Sequence, residues 1–238
     1  MRRILITNDD GIDAGGIIRL SEVAREFGEV WVVAPIHQRS AASHSITLRD
    51  TIDVYPHNFP VKGVHAYSCT GTPADCVRVG GLNVMDERPD VVLSGINFGY
   101  NAATDLQYSA TVGAAMEAAF QGYGAIALSE DMNGCHEVTD KYLYDMVDEY
   151  IDVRLGYGRI ININFPGCRL TECNGVLRDR RTSKSSFFHD HYNVVEMLSD
   201  GGVRYMVEGV HNYEGEEGTD FKALVDNYVS VGIVSQYL

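Results

Sequence analysis

The chain has 238 residues, of which 45% are hydrophobic and 22% are charged. These proportions are typical of a packed globular protein and argue against intrinsic disorder. The formal net charge of −14 repels phosphate backbones, so we expect no duplex nucleic acid as a partner. An enzyme that binds phosphate despite this charge needs a local positive charge, and a bound cation is the obvious source.

Nothing in the sequence indicates export or membrane insertion. The first apolar run spans residues 4–6, too short for the core of a signal peptide, and no run of about 18 apolar residues occurs. The five cysteines are odd in number and show no CxxC spacing, which favours free thiols in a reducing compartment. We therefore expect a cytoplasmic protein that does not contact a membrane.

Alternating strand and helix patterns predict an α/β fold for the first two thirds of the chain. Apolar runs bounded by polar turns predict strands of the parallel type, and apolar residues at helical spacing predict the helices between them. In chain order, the predicted elements are a strand at 4–7, a helix at 17–27, strands at 30–34 and 90–94, a helix at 109–121, a strand at 125–128, a helix at 138–153 and a strand at 159–164. This order predicts a Rossmann-like, doubly wound core over residues 1–166.

The pattern changes after residue 166. Helical stripes largely disappear, and short alternating runs such as 204–207 and 228–234 predict strands. We expect residues 167–238 to form a β-rich C-terminal extension, or arm, that serves oligomerisation, and we leave open whether its end returns to the core. The segment His189-Asp190-His191 allows two interpretations, a second metal site or a solvated loop or interface segment.

Polar side chains follow three of the predicted strands. Asp9 and Asp10 follow the first strand, Ser40 follows the second, and Asn97 lies in the polar loop after the strand at 90–94. Ligands bind at the carboxyl ends of the strands of an open α/β sheet, so these side chains should meet at one edge. Adjacent carboxylates repel each other unless a cation lies between them, and oxygen ligands suit Mg²⁺, Mn²⁺ or Ca²⁺. The alternative is that one aspartate caps the next helix while the other is solvated.

The helix at 109–121 begins with the small residues Ser109, Ala110 and Thr111. Free backbone N–H groups at a helix N-terminus can hold a phosphate. The alternative is that the hydroxyl side chains simply cap these N–H groups.

Five motifs, in order along the chain, connect these residues to a known family. They are NDDGIDAGGI, VAPIHQRSAASHSITL, GTPADCV, LSGINFGYN and YSATVGAAMEA. Together they resemble the survival protein E (SurE) family of metal-dependent 5′/3′-nucleotidases. The match covers about residues 3–130, and GTDFKALVDNYVSV near the end is also similar. The resemblance implies a Rossmann-like core with a smaller β-rich extension used in dimer or tetramer assembly.

For the site, the resemblance implies one divalent ion per subunit, Mg²⁺ or Mn²⁺, in a place that Ca²⁺ can also occupy. The implied metal ligands are Asp9, Asp10, Ser40 and Asn97. The implied phosphate contacts are Asn101, Ser109, Ala110 and Thr111. One of the two aspartates would orient or deprotonate the attacking water. The implied reaction releases nucleoside and phosphate from nucleoside 5′- and 3′-monophosphates, with a side activity on polyphosphate.

Three positions depart from the pattern of the family. Ile36 stands where the family usually has aspartate, and Ala41 and Ala110 stand where it usually has glycine. These changes affect the expected loop geometry and substrate preference but leave the ligand set intact. The group that protonates the leaving alcohol is not visible in the sequence, and His44 is a candidate.

Three other functions compete with this interpretation. A phosphatase with an aspartyl-phosphate intermediate usually spaces its two acids as Asp-x-Asp, whereas Asp9 and Asp10 are adjacent. A dinucleotide-binding module would carry G-x-G-x-x-G after the first strand, without two carboxylates in front of it. A catalytically inactive nucleotide-binding or scaffold protein on the same fold is the third alternative, and a metal-dependent hydrolysis assay separates it from an enzyme.

Overall fold

A single large sheet organises the protein, of which a computed structural model describes residues 1–236. In chain order its nine strands are β1 (Arg3–Thr7), β2 (Glu29–Pro35), β3 (Val54–Pro56), β4 (His65–Cys69), β5 (Val91–Phe98), β6 (Gly124–Glu130), β7 (Arg159–Phe165), β8 (Val176–Leu177) and β11 (Val229–Ser235). Across the sheet they lie in the order β3-β4-β2-β1-β5-β6-β7-β11-β8. The six strands from β4 to β7 are parallel, while β3 and β11 run antiparallel to β4 and β7.

Helices cover both faces of this sheet. They are α1 (Gly15–Ala24), α2 (Pro73–Val79), α3 (Ala110–Phe120), α4 (Glu137–Tyr150) and α5 (Asp220–Val225). Strand β1 shows how the faces are filled, because Ile4 and Ile6 pack in a cluster with α1 and α4, whereas Leu5 packs with α2 and α3. This alternation follows from the period of two along a strand. The predicted α/β, doubly wound fold is confirmed.

The winding direction of the sheet reverses between β1 and β5. From β1 the chain proceeds through β2 to β4 on one side, and from β5 it proceeds through β6 to β7 on the other. In such sheets the carboxyl ends of the two strands at the reversal border a crevice in which ligands bind. Strand β5 is longer than the sequence predicts: it continues through an irregularity between Ser94 and Asn97 and ends at Phe98. Asn97 is therefore a strand residue and not a loop residue.

A close approach of backbone fixes α1 against this crevice. A Cβ atom at Gly16 would overlap the carbonyl oxygen of Ile96 in β5, so only glycine fits there. A Cβ atom at the neighbouring Gly15 would have no heavy atom within 4 Å. The first turn of α1 thus lies directly against the end of β5.

The β-rich part of the chain consists mainly of a hairpin that stands apart from the large sheet. Within residues 1–236, strands β9 (Phe188–Met197) and β10 (Val203–His211) pair antiparallel with each other only, and their residues are exposed on both faces. After the hairpin, β11 lies beside β7 in the large sheet. The division into a core at 1–166 and an oligomerisation extension at 167–238 stays a prediction. Among residues 1–236, no helix combines the length and apolar character needed to cross a membrane.

The contrast between the two glycines of α1 gives a test of this packing. Gly16→Ala should lower the free energy of unfolding by about 1–3 kcal/mol, because the new methyl group overlaps Ile96 and the helix must move away. The matched control is Gly15→Ala, which should leave that energy unchanged or raise it by up to about 1 kcal/mol, since alanine is the better helix former. Urea unfolding of both variants measures the difference. Equal unfolding energies would show that α1 and β5 are not in close contact.

Candidate metal and phosphate site

The two aspartates after β1 are held by donors on different elements. Asp9 is 4% exposed, and the hydroxyl of Thr111 in α3 donates to its Oδ1 at 2.6 Å. Asp10 accepts from the backbone N–H of Phe98 at 3.0 Å and from Gln38 Nε2 at 3.3 Å. One carboxylate is therefore tied to α3 and the other to the end of β5.

Ser40 and Asn97 lie at the same edge of the sheet as Asp10. Gln38 Nε2 donates both to Asp10 and to Ser40 Oγ, the latter at 2.9 Å, so one amide group links the two oxygen donors. Asn97 precedes Phe98, whose N–H binds Asp10, and its own Nδ2 donates to the carbonyl oxygen of Gly99 at 2.7 Å. That bond leaves the side-chain oxygen of Asn97 as an acceptor for another ligand.

Burial makes the ionised form of both carboxylates unfavourable. It raises the pKa of Asp9 to about 6, with the hydrogen bond from Thr111 lowering that pKa and the nearby charge of Asp10 raising it. Burial also raises the pKa of Asp10, although the bonds from Phe98 and Gln38 oppose the shift. A cation beside the pair would favour the charged form of each carboxylate.

The donor chemistry fits a hard divalent cation. No group of three His, Cys, Asp or Glu suited to a metal occurs within residues 1–236, so a site here has to combine two carboxylates with the neutral oxygens of Ser40 and Asn97. Such all-oxygen sets are preferred by Mg²⁺, Mn²⁺ and Ca²⁺. The buried side-chain oxygen of Asn8, next to Asp9, has no hydrogen-bond partner in the described chain. A cation, or water held by one, would satisfy such an acceptor.

The start of α3 faces this site. Ser109 is the N-cap residue, and its hydroxyl accepts from Val112 N at 3.1 Å. Ala110 begins the helix, and its φ is not among the positive values of the chain. The hydroxyl of Thr111 is fully buried and directed at Asp9. The groups left for an anion are the backbone N–H groups of Ala110 and Thr111, which have no acceptor within a first helical turn.

Asn101 is buried in a network of side-chain amides. Its N–H donates to Asn164 Oδ1 at 2.8 Å, and its Nδ2 donates to Ser129 Oγ at 2.8 Å. Its carbonyl oxygen accepts from Asn162 Nδ2 at 2.8 Å and from Asn164 Nδ2 at 3.1 Å. These bonds tie the loop after β5 to β6 and β7, and the contact of Asn101 with phosphate stays a prediction.

Comparison with known proteins shows which family the chain resembles. The family model described as "Survival protein SurE" matches residues 4–186. The chain is 38% identical to the 5′-nucleotidase SurE of Erythrobacter litoralis, covering 96% of this chain and 91% of the relative. It is 36% identical to the 5′-nucleotidase SurE of Thermosipho africanus, covering 99% and 92%. A crystal structure of the Sure protein from Aquifex aeolicus superposes with a TM-score of 0.82 at 31% identity, covering 99% of this chain and 94% of that one.

The chain belongs to the SurE family. The predicted resemblance is confirmed over nearly the whole chain. The roles of the individual site residues stay predictions.

The two alanines that replace the usual SurE glycines have different local conformations. Ala41 has a φ of +57°, a left-handed conformation that costs a residue with a Cβ atom about 1–2 kcal/mol and that glycine adopts freely. Ala110 starts a helix and carries no such strain. The loop that contains Ser40 therefore keeps a glycine-like geometry at an energetic cost.

His44 bonds α3 on the side of Glu117. Its Nε2 bonds Glu117 Oε2 at 2.9 Å, and its ring stacks on Phe120 at 5.6 Å. Its role as the group that protonates the leaving alcohol stays a prediction.

The sequence analysis singled out neither Gln38, which orients Asp10, nor the amides of β7 that bind Asn101. Gln38 was only one of several polar residues after β2, although its amide links two of the predicted ligands. Asn162 and Asn164 alternate with isoleucines in the otherwise apolar strand β7, a pattern that could have marked them. Buried amides in an apolar strand require partners, and here the partner is Asn101.

Because Asp9 and Asp10 are adjacent and partly buried, we predict that a bound metal ion stabilises the folded protein. Saturating Mg²⁺ or Mn²⁺ should raise the melting temperature by about 5 °C or more at a hundredfold excess over Kd, because the ion binds only the folded arrangement. Asp10→Asn should abolish most of this rise, since it removes a charged ligand. The exposed Asp13, which bonds His57 at 2.9 Å, gives the matched control Asp13→Asn and should keep the full rise. Differential scanning calorimetry with and without a chelator measures it, and an identical rise in all three proteins would place the ion elsewhere.

Proposed function

We propose that this protein is a divalent-metal-dependent phosphomonoesterase that converts nucleoside monophosphates to nucleoside and phosphate. The observation that carries the proposal is the pair Asp9 and Asp10, held at the β1–β5 crevice beside Ser40 and Asn97 and opposite the start of α3. The names of the SurE relatives, 5′-nucleotidases, support the substrate class. The finer proposal is that both 5′- and 3′-monophosphates are hydrolysed, with a side activity on polyphosphate.

The four oxygen donors Asp9, Asp10, Ser40 and Asn97 would hold one Mg²⁺ or Mn²⁺ per subunit. The ion, when bound, polarises the phosphoryl group and offsets its charge. Thr111 fixes the orientation of Asp9 through the hydrogen bond of 2.6 Å. Phe98 and Gln38 do the same for Asp10.

The reaction transfers the phosphoryl group to water. A water oxygen forms the new bond to phosphorus while the bond to the nucleoside oxygen breaks, and the leaving oxygen takes up a proton. The proton of the attacking water would pass to Asp9 or Asp10. The N–H groups of Ala110 and Thr111 at the start of α3 would hold the non-bridging oxygens.

The exposed hairpin supports our proposal that the protein forms a homodimer or homotetramer. Its cytoplasmic location stays a prediction from the sequence. A two-stranded hairpin is marginally stable alone, and large exposed apolar side chains mark an interface. Nine such side chains project from β9 and β10: Phe188, Tyr192, Val194, Val195, Met197, Tyr205, Met206, Val207 and Val210. A second copy of the chain would cover them.

Removal of one ligand charge tests the catalytic proposal. Asp9→Asn and Asp10→Asn should each reduce kcat by at least about a hundredfold on adenosine 5′-monophosphate, with folding intact, because each loses a charged ligand. Asp13→Asn, in the same loop but pointing to His57, should keep wild-type turnover. Steady-state assays with Mg²⁺, with Mn²⁺ and after chelation give the comparison. Near-wild-type activity in the first two variants would eliminate the proposed site, and an inactive wild type would favour a binding or scaffold protein.

Charges introduced on the hairpin test the assembly. Tyr192 and Val207 pair across β9 and β10, and the double variant Tyr192→Lys, Val207→Lys should shift the protein to monomers, because it places two charges on an apolar face. His191 and Glu208 pair on the opposite, more polar face, and lysines there should leave assembly intact. Sedimentation velocity at micromolar concentration distinguishes these results. A monomeric wild type would refute the proposal.

A further inference from the structure

We propose that a cavity next to Asp10, the Phe98 cavity, binds the nucleoside part of the substrate. This proposal rests on the proposed function and deepens it by naming where the base and ribose lie. The cavity has a volume of about 340 Å³, within the usual range for small-molecule sites. The residues of its lining that matter here are Asp10, Gly16, Arg19, Phe98, Glu130 and His136.

Phe98 offers a stacking surface directly beside the site. Its backbone N–H donates to Asp10 at 3.0 Å, while its side chain is 49% exposed at the end of β5. Among the described residues its ring belongs to no aromatic pair. An open phenyl ring one residue from Asn97 is suited to stack on a nucleobase whose phosphate lies at the aspartates.

A buried charge network fixes His136 in the lining of the cavity. Glu130 is 2% exposed, and its two oxygens accept from Arg19 and from His136 Nδ1, the latter at 3.0 Å. A carboxylate can only accept, so Nδ1 carries a proton. The second ring nitrogen, Nε2, is left for a ligand, and the side chain is 39% exposed. The imidazole is therefore held in one orientation with one polar atom available to a ribose hydroxyl or a base edge.

The charges around the cavity favour an uncharged occupant. Arg19 is the cation of the lining, and it is already paired with Glu130 and, at 3.1 Å, with Asp140. Asp10 adds a further negative group at the edge towards the metal site. A second phosphate would be repelled here, whereas a nucleoside, with an aromatic base and neutral hydroxyls, suits a stacking ring and a single polar nitrogen.

Two substrates separate the nucleoside contact from the phosphate chemistry. With the Mg²⁺- or Mn²⁺-loaded enzyme, Phe98→Ala should raise KM for adenosine 5′-monophosphate about tenfold through loss of base stacking. KM for methyl phosphate, which has no base, should change less than about twofold.

His136→Asn keeps a donor towards Glu130 but lacks Nε2, and should raise KM for the nucleotide about fivefold with a smaller change in kcat. The control Tyr55→Ala removes a ring of similar exposure, 53%, from β3 at the sheet edge and should change neither KM.

Binding of adenosine gives a readout that does not depend on turnover. Calorimetric titration of the wild-type protein should detect adenosine binding, and Phe98→Ala should weaken it about tenfold. Unchanged nucleotide KM and adenosine affinity in Phe98→Ala would overturn the proposal, as would equal losses on both phosphate substrates, which would mean that Phe98 only supports Asp10. If the wild-type protein binds adenosine through Phe98 but does not hydrolyse nucleotides, the proposed function is refuted, whereas the nucleoside site is supported.

Discussion

Two adjacent carboxylates stand at the end of β1, where the winding of the sheet reverses, and the surrounding structure has to hold two negative charges in a partly buried place. Three donors on three elements meet this requirement: Thr111 on Asp9, and Phe98 and Gln38 on Asp10. Burial raises the pKa of both carboxyl groups, and each of these hydrogen bonds lowers it. The two negative charges remain unfavourable despite these donors. This favours the binding of a cation, because an ion offsets the repulsion between them.

The same requirement explains the close packing around the crevice. Helix α3 has to approach β1 for Thr111 to reach Asp9, and the loop that carries Ser40 has to lie on α3. That loop is held by Ser43, whose N–H and hydroxyl bind the carbonyl oxygens of Tyr108 and Gln107. A Cβ atom at Gly113 would overlap this loop, and Ala41 accepts a left-handed φ within it. Local strain is thus carried where the site needs the backbone in a particular place.

The sequence predicted those parts of the fold that depend on short-range patterns. Continuous apolar runs located β1, β2 and β6, and helical spacing located α1, α3 and α4, because burial on both faces of a parallel sheet produces these patterns. The motif order identified the family. The continuation of β5 to Phe98 was missed, since the polar residues of a strand that ends in a site resemble a loop. The Glu130–His136 and Asn101–Asn164 contacts were missed as well, because they join residues whose proximity depends on the tertiary fold.

The net negative charge of the protein makes the binding of a phosphate group at the site less favourable. With a formal net charge of −14, the average field opposes the approach of any phosphate. The start of α3 offers partial positive charges on its N–H groups, and the nearby guanidinium of Arg19 is paired with Glu130 and Asp140. Under the proposed function, a nucleotide depends on the cation for binding of its phosphate and on uncharged contacts for binding of its nucleoside part.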